Sequence, residues 1–421
     1  VTLADKHQAC PYCGFTAPKI KEYVTKEITH SALTTQKCII KYRARRYKCP
    51  CCGKTYYEFN PFVFKSQKIS ILTVHNILKD LKDFNETFTS VARRYHVSPT
   101  SVSTIFDNHV DIGRNPLPEI INFDEVYAFK SEKSKYVCVL LDFKKQIPVD
   151  VLPNRKKEYL LNYFQKIPLE ERKKVKYACS DMYEVYRDVV HKVFPSCCML
   201  LDYFHLSQDF HRKMNEVRIK VMKGYKDNKA SDEYYLLKKF NWLFFKNPED
   251  EDKYGRLFDV ERERKYNSHF KSYMNYYDLR KKILEINNDL TICYSLKLEL
   301  VDFYSKSTID NAQVNLEHLI RNCIDTNIEE MIAFSNNLIN WKQEIINSFT
   351  IVGTEYKVEA DKGQVVVCNK KVNNAIIENR NKIIKCIKNN ANGYTNWSRF
   401  RNRVMYVLDP NATFSLEPRE K

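Results

Sequence analysis

The chain is poor in the residues that loosen a polypeptide: only 8 Gly and 14 Pro occur among its 421 residues. Flexible linkers should therefore be few. No apolar run approaches the ~18 residues of a membrane-spanning helix, so no such helix is expected. A secretory signal is not expected either. Without one, the 14 Cys argue for a reducing compartment with metal-bound or free thiols, not for a disulfide scaffold. Internal repeats and low-complexity stretches are absent too. These absences together point to a soluble intracellular protein. Val1 with Cys10 close behind fits either an upstream segment or an alternative start.

Acid is the other shortage. The chain carries 69 Lys and Arg against 52 Asp and Glu, a net charge of +17. Such an excess calls for a polyanionic partner, most simply nucleic acid. With 43% hydrophobic and 13% aromatic residues it can bury real cores, and its length suits two to four domains.

The few acids that fall in apolar surroundings are informative. IINFDEVYAF (120–129) is β-rich and places Asp124 mid-strand, where an unpaired carboxylate is costly. KYACSDMYEVY puts Asp181 at the end of another strand, and VNNAIIENRNKIIK puts Glu378 on a helix. Three carboxylates sit together only if cations neutralise them, as two-metal phosphoryl-transfer sites require.

Taken in order, the chain opens with CPYC (10–13) and CPCC (49–52). Cys10, Cys13, Cys49 and Cys52 have the spacing at which two knuckles give zinc four thiolates, with Cys51 able to replace Cys49 or Cys52. The intervening EYVTKEITH and CIIKYRARRYKC read as a β-hairpin. Its second arm, with Arg43, Arg45 and Arg46 among its basic residues, is a candidate phosphate-contacting surface. Next, ILTVHNILKDL and TFTSVARRYHV read as helices, the second packing through Val91 and Ala92. Ser98 caps a third, PTSVSTIFDNHV, with Pro99 at its first position. This is a helix-turn-helix plan. Thr100, Ser101, Ser103 and Thr104 would lie near bases, and Arg93 and Arg94 near phosphates.

After a linker at 113–119, the pattern runs β-β-β-α-β-α-β up to CCMLLDYFH, the order of a ribonuclease-H-like mixed sheet. In that plan the strands of Asp124 and Asp181 are neighbours. From Leu206 to about Ala360 the strand signal disappears, which predicts an all-α insertion. On the final helix Ile376, Ile377, Ile383, Ile384 and Ile387 share one face. Asn374, Glu378, Asn381, Lys382 and Lys385 share the opposite one. Glu355 and Glu359 are competing carboxylates in a stretch that reads as turns.

The assembly resembles the DDE transposases of bacterial insertion sequences, most closely the ISL-three family. The resemblance runs from CPYCG and RRYKCPCCGKTYYE through the FDE strand, LLDYFHL and FNWLFFKNPED to ENRNKIIK and NGY. It implies Asp124, Asp181 and Glu378 as a catalytic triad holding two Mg²⁺ or Mn²⁺, with Asp202 and His205 of DYFH in support. It further implies structural zinc, strand cleavage and strand transfer, terminal inverted repeats and target DNA as partners, and a homodimer or higher oligomer on DNA. Lys382 and Lys385 would meet the backbone, and the setting would be a bacterial cytoplasm, at the nucleoid. Asn379 and Arg380 depart from the family, which usually has Gly and an apolar residue there. The other readings are a ribonuclease-H-like nuclease without strand transfer and a transposase-derived DNA-binding protein with an inert core. The expected fold is α/β multidomain: a zinc ribbon (1–60), a helix-turn-helix (66–112), a core (118–205 and 366–412) and the helical insertion (206–365).

Overall fold

The computed structural model describes residues 1–4, 9–31, 36–64, 67–129, 135–358 and 365–419. The chain divides into two compact units. One comprises Val1–Pro116, Glu125–Lys156 and Ile377–Lys421; the other comprises Leu117–Asp124 and Lys157–Ile376.

The first unit begins with an antiparallel sheet of β1 (Lys19–Thr29), β2 (Ile39–Lys48) and β3 (Thr55–Tyr57). Ile28 opposite Ile40 puts an apolar end on one face, where Ile28, Tyr42 and Ala44 bury against Leu3, Phe62 and Val63. Three helices follow: α1 (Ile71–Asp80), α2 (Phe88–Arg94) and α3 (Pro99–His109). Each start has the chemistry a helix needs, since the side chains of Ser70, Thr87 and Ser98 accept the otherwise unpaired N–H groups of the first turn. Their apolar faces, including Val74, Ile77, Val91, Ala92, Val102 and Phe106, form one core. The Ser31 hydroxyl donates to the Tyr95 carbonyl at 2.7 Å, fastening the sheet to these helices.

A second sheet contains β4 (Ile120–Val126), β5 (Val137–Asp142) and β6 (Ile147–Leu152), then α4 (Lys157–Gln165), α5 (Leu169–Arg172), β7 (Tyr177–Ser180), α6 (Glu184–Val193) and β8 (Cys198–Leu201) in its connections. Its order is β6-β5-β4-β7-β8, antiparallel between β5 and β6 and parallel from β4 to β8. The division between units passes through β4 after Asp124.

The second unit continues with α7 (Tyr203–Lys223), α8 (Asp232–Lys239) and α9 (Asn241–Phe244). Two small hairpins follow, β9 (Glu251–Asp252) with β10 (Gly255–Arg256) and β11 (Lys265–Asn267) with β12 (Ser272–Met274). Helices resume with α10 (Tyr276–Glu285), α11 (Asn288–Lys306), α12 (Ala312–Asp325), α13 (Glu329–Asn340) and α14 (Lys342–Asn347). A third hairpin joins β13 (Ile351–Val358) to β14 (Val365–Lys371). The helices bury a long core through residues such as Phe210, Leu243, Leu300, Met331 and Phe334. The expectation of an all-α insertion is thus corrected. Two hairpins are too short to impose a period of two on the sequence, and the third was hidden by turn-forming residues around its loop. No helix among the described residues is long and apolar enough to cross a membrane.

The last two helices, α15 (Ala375–Asn390) and α16 (Trp397–Leu408), complete the chain. Within the first unit α16 is tied in two directions. Tyr406 joins the core of α1, α2 and α3, while Arg401 pairs with Asp150 of β6 at 2.6 Å. Buried Arg403 donates to the carbonyls of Asp83 and Glu86. The departure at Arg380 gains a role, because its Nε donates to the Gln146 carbonyl at the β5–β6 turn.

Candidate functional site

Four cysteines meet at the end of the first sheet. The turns carrying them are copies of each other. Gly14 N–H bonds to the Cys10 carbonyl and Gly53 N–H to the Cys49 carbonyl, both at 2.9 Å. Each glycine has positive φ (75° and 71°), a conformation costly for other residues. The Sγ atoms of Cys10 and Cys52 are 3.7 Å apart and those of Cys13 and Cys49 3.5 Å. All four lie within 4.8 Å of one another. A tetrahedral ion with Zn–S bonds of ~2.3 Å needs edges of ~3.8 Å, so the group fits zinc. The Cys52 backbone N–H, which bonds to Cys49 Sγ, leads the effects that lower the Cys49 thiol to about 7. Metal ligation needs that thiolate. Cys51 is exposed and stands outside the group, so the choice left open by spacing falls on Cys49 and Cys52.

A second group forms in the parallel part of the other sheet. Ile120 of β4 pairs with Tyr177 of β7, and Asn122 with Cys179. Asp124 follows Asn122 by two residues and Asp181 follows Cys179 by two, so both acids come just after the last paired positions of adjacent parallel strands, which lie ~4.8 Å apart. Asp124 is 8% exposed; Asp181 directly follows β7 and is half-buried. The next strand, β8, leads straight to Asp202, which is 2% exposed and sits at the N-cap position of α7 without a capping hydrogen bond from its side chain. His205, one turn later, places Nε2 3.7 Å from Asp202 Oδ2. The Cys179 thiol reports how these charges converge. Burial pushes it well above its usual value, and the carboxylates of Asp202, Asp181 and Asp124 push it further. Three anionic groups acting on one buried sulfur make a place suited to cations.

Sequence reasoning gave Asp202 a supporting part only. Among the three acids its charge acts most on Cys179. Reasoning from helical period also put Asn374 on the exposed face with Glu378, and here the structure differs. Asn374 precedes α15 and is fully buried. Asn122 Nδ2 donates to Asn374 Oδ1 at 2.7 Å and to the Asn373 carbonyl at 2.8 Å. Asn374 Nδ2 in turn reaches the Phe123 carbonyl at 3.4 Å. The residue before α15 is thereby fastened to β4 beside Asp124, and Glu378 follows in the first turn of α15, half-buried. The available signal was Asn122 itself, an amide in an otherwise apolar run. Asn381 is likewise buried, stacked with Ile377 and Ile384. Glu355 stands on β13 opposite Cys368; Glu359 lies outside the described residues.

The residues expected to meet DNA divide into two sets. Arg43 is exposed, its guanidinium 4.2 Å from the Tyr23 ring centre. Arg93, Thr100, Thr104, Lys382 and Lys385 are exposed too. Arg45 is corrected: it is 7% exposed and its Nη1 pairs with Glu58 Oε2 at 2.9 Å, because its side chain closes the sheet against the N-terminal residues. Ser103 is also corrected, being buried and bonded to the Thr100 carbonyl on the inner face of α3. Arg94 is held by Asp80 and Glu86. Arg46 bonds Glu22 at 2.8 Å near the surface. The Ser101 hydroxyl is 2.8 Å from that of Ser98 at the helix start.

The transposase for insertion sequence element IS1001 of Bordetella parapertussis is 19% identical over 409 residues, covering 97% of this chain and 90% of that protein. A family described as Transposase, the ISL-three type of DDE transposase, matches residues 121–360. That span is more than half of the chain; it holds Asp124, Asp181, Asp202 and His205 and ends before Glu378. On the extent of that match, the chain belongs to the ISL-three family of DDE transposases.

Proposed function

We propose that this transposase binds the ends of its insertion sequence and carries out divalent-metal-dependent strand cleavage and strand transfer, with Asp124, Asp181 and Glu378 as its catalytic acids. The observation that carries the reading is that β4, β7 and β8 are neighbours in one sheet and bring Asp124, Asp181 and Asp202 to adjacent strands. That acidic setting fits Mg²⁺ or Mn²⁺, which Asp124, Asp181 and Glu378 would hold. Bound there, the ions supply Lewis-acid activation of an attacking water or 3′-hydroxyl and stabilise the leaving oxygen. The chain's own part is positioning. Parallel β4 and β7 fix the spacing of two carboxylates. The Asn122–Asn374 contact fastens the residues before α15 to β4. Asp202 and His205 support the group from the start of α7. In this reading the sheet is a ribonuclease-H-like core.

Recognition falls to the first unit. α2 and α3 act as a helix-turn-helix, with Thr100, Ser101 and Thr104 towards bases and Arg93 on phosphate. Arg43, Arg46, Lys382 and Lys385 add backbone contacts, and zinc in the Cys10, Cys13, Cys49, Cys52 group keeps the ribbon folded. The partners are the terminal inverted repeats and the target DNA, with at least two copies on the paired ends.

The test uses duplexes made from the DNA that brackets the reading frame. Full-length protein should nick their ends and join the 3′-hydroxyls to a second DNA in Mg²⁺, and Asp124→Asn should do neither. Cleavage without joining would reduce the protein to a nuclease. Binding without any metal-dependent nicking would leave an inert binding protein.

A further inference from the structure

The first unit contains a cleft of about 420 Å³ between the start of α2 and the loop that joins α15 to α16. Thr89 and Arg93 line one side; Asn390, Asn392, Tyr394 and Asn396 line the other. None of its described lining residues carries a carboxylate. Arg93 is exposed, and no ion pair engages it among the described residues. Its amides and hydroxyls, which share the lining with Phe88, Ala391, Gly393 and Arg399, can donate to phosphate oxygens without requiring a particular base.

The walls are held in place by contacts of their own. Phe88 packs on Phe106 at 5.5 Å, and Tyr394 on Phe400 at 5.2 Å. Arg399, also at the cleft, is engaged by Asp107 at 2.6 Å and so links α16 to α3. The loop is shaped by Asn392 and Gly393, with φ of 55° and 99°. Gly393 N–H returns to the Lys388 carbonyl at 2.9 Å and ends α15. A prearranged cleft of nucleotide size, whose neighbouring carboxylates Glu86 and Asp107 are engaged by Arg94 and Arg399, suits a segment of DNA backbone.

We propose that this cleft binds one or two phosphodiesters of the element's end, gripped jointly by Arg93 and by Asn390 and Asn392 of the loop. The inference rests on the proposed function and adds a second anchor to it. Glu378 and Asn390 belong to the same helix, twelve residues apart (390 − 378). At 1.5 Å per residue that is ~18 Å, or about five base pairs at ~3.4 Å each. The helix that offers Glu378 at one end therefore holds the DNA at the other, and the gripped phosphates lie within about five base pairs of the cut.

Full-length protein would be titrated with duplexes of the bracketing DNA in which single phosphates are replaced by neutral methylphosphonates. For the unaltered protein, one or two positions within about five base pairs of the cut should weaken binding about tenfold. Asn390→Ala combined with Asn392→Gly, which preserves the left-handed turn, should weaken binding to natural DNA similarly and lose most of its sensitivity at the same positions. Arg93→Gln should lower the salt slope by about one. If the unaltered protein prefers its own ends, yet the loop variant binds as well and keeps the full pattern of sensitivity, the cleft proposal is overturned and the function stands. If no preference for those ends is found, the functional reading itself fails. Competition by a mononucleotide that the loop variant escapes would overturn the backbone assignment in favour of a free nucleotide.

Discussion

The cysteine group and the acidic group gather side chains of like kind by opposite means. Each cysteine pair comes from a single turn, and the two turns are copies closed by Gly14 and Gly53. The acids come from separate elements: a strand interior, the end of its parallel neighbour, and the residue after the next strand. The first site needs only a local bend and a hairpin, and the second needs a whole sheet in register. A thiolate site can thus be written into a short stretch of sequence, whereas the acids depend on the strand order and on amides that hold it. The cysteine geometry should therefore resist changes elsewhere, and the acidic geometry should not.

The sharpest break of that comparison lies at the acids. Asp124→Asn, Asp181→Asn and Glu378→Gln should each lower end cleavage by on the order of a thousandfold or more, since each removes charge stabilisation of several kcal/mol. End binding should stay within about threefold, as gel shifts would report. Near-normal cleavage by the Glu378→Gln protein would remove α15 from the site; the same change at Glu355 should cost far less.

Next in size comes metal at the cysteines. Purified protein should hold about one zinc, and Cys10→Ser should lose it with end binding, given the ~10 kcal/mol or more that structural zinc can contribute. Cys51→Ser should keep both. Equal losses for Cys10 and Cys51 would mean that the ligand set is not the one the sulfur distances indicate.

Asn374→Ala is a smaller test, aimed at the amide that supports the second site. Leaving Asn122 buried without this partner should cost ~1–3 kcal/mol in denaturant melts. Cleavage should fall about tenfold while zinc content and DNA binding persist. Unchanged cleavage would show that the start of α15 needs no such fastening.

The mildest contrast separates two neighbours on β2. Arg45→Ala strands Glu58 and should destabilise the ribbon by ~3 kcal/mol, whereas Arg43→Ala should leave stability within ~0.5 kcal/mol and only weaken DNA binding. If the two behave alike in melting, burial does not distinguish their roles.

Much of this was legible because the signals were local or strictly periodic. CxxC spacing identified the knuckles, and Ser98 before Pro99 marked the start of α3. The alternation of strands and helices made the strands of Asp124 and Asp181 neighbours, as β4 and β7 are. What escaped depends on contacts distant in the chain. Asn374 looked like a surface residue because helical period takes no account of a strand some 250 positions away. Arg45 looked like its neighbour Arg43, although Glu58 draws one inward and Tyr23 faces the other. Ser103 falls on the inner side of α3 because Val102 and Phe106 bring it there. The small hairpins of the second unit were missed for want of length.

The contact between Asn122 and Asn374 spans 252 residues, and this bears on the time at which the protein is made. At ~5–20 residues per second, roughly 13–50 s separate the synthesis of the two amides. Throughout that interval β4 has left the ribosome while its partner does not yet exist, and the helix that carries Glu378 comes later still. On the proposed function an unfinished chain lacks Glu378, and the order of synthesis should then act as a safety catch against cutting the surrounding DNA. Ribosome-bound chains halted at Val372 should therefore fail to nick the bracketing DNA under conditions in which the completed protein does so, and nicking by the halted chains would show that the catch is not there.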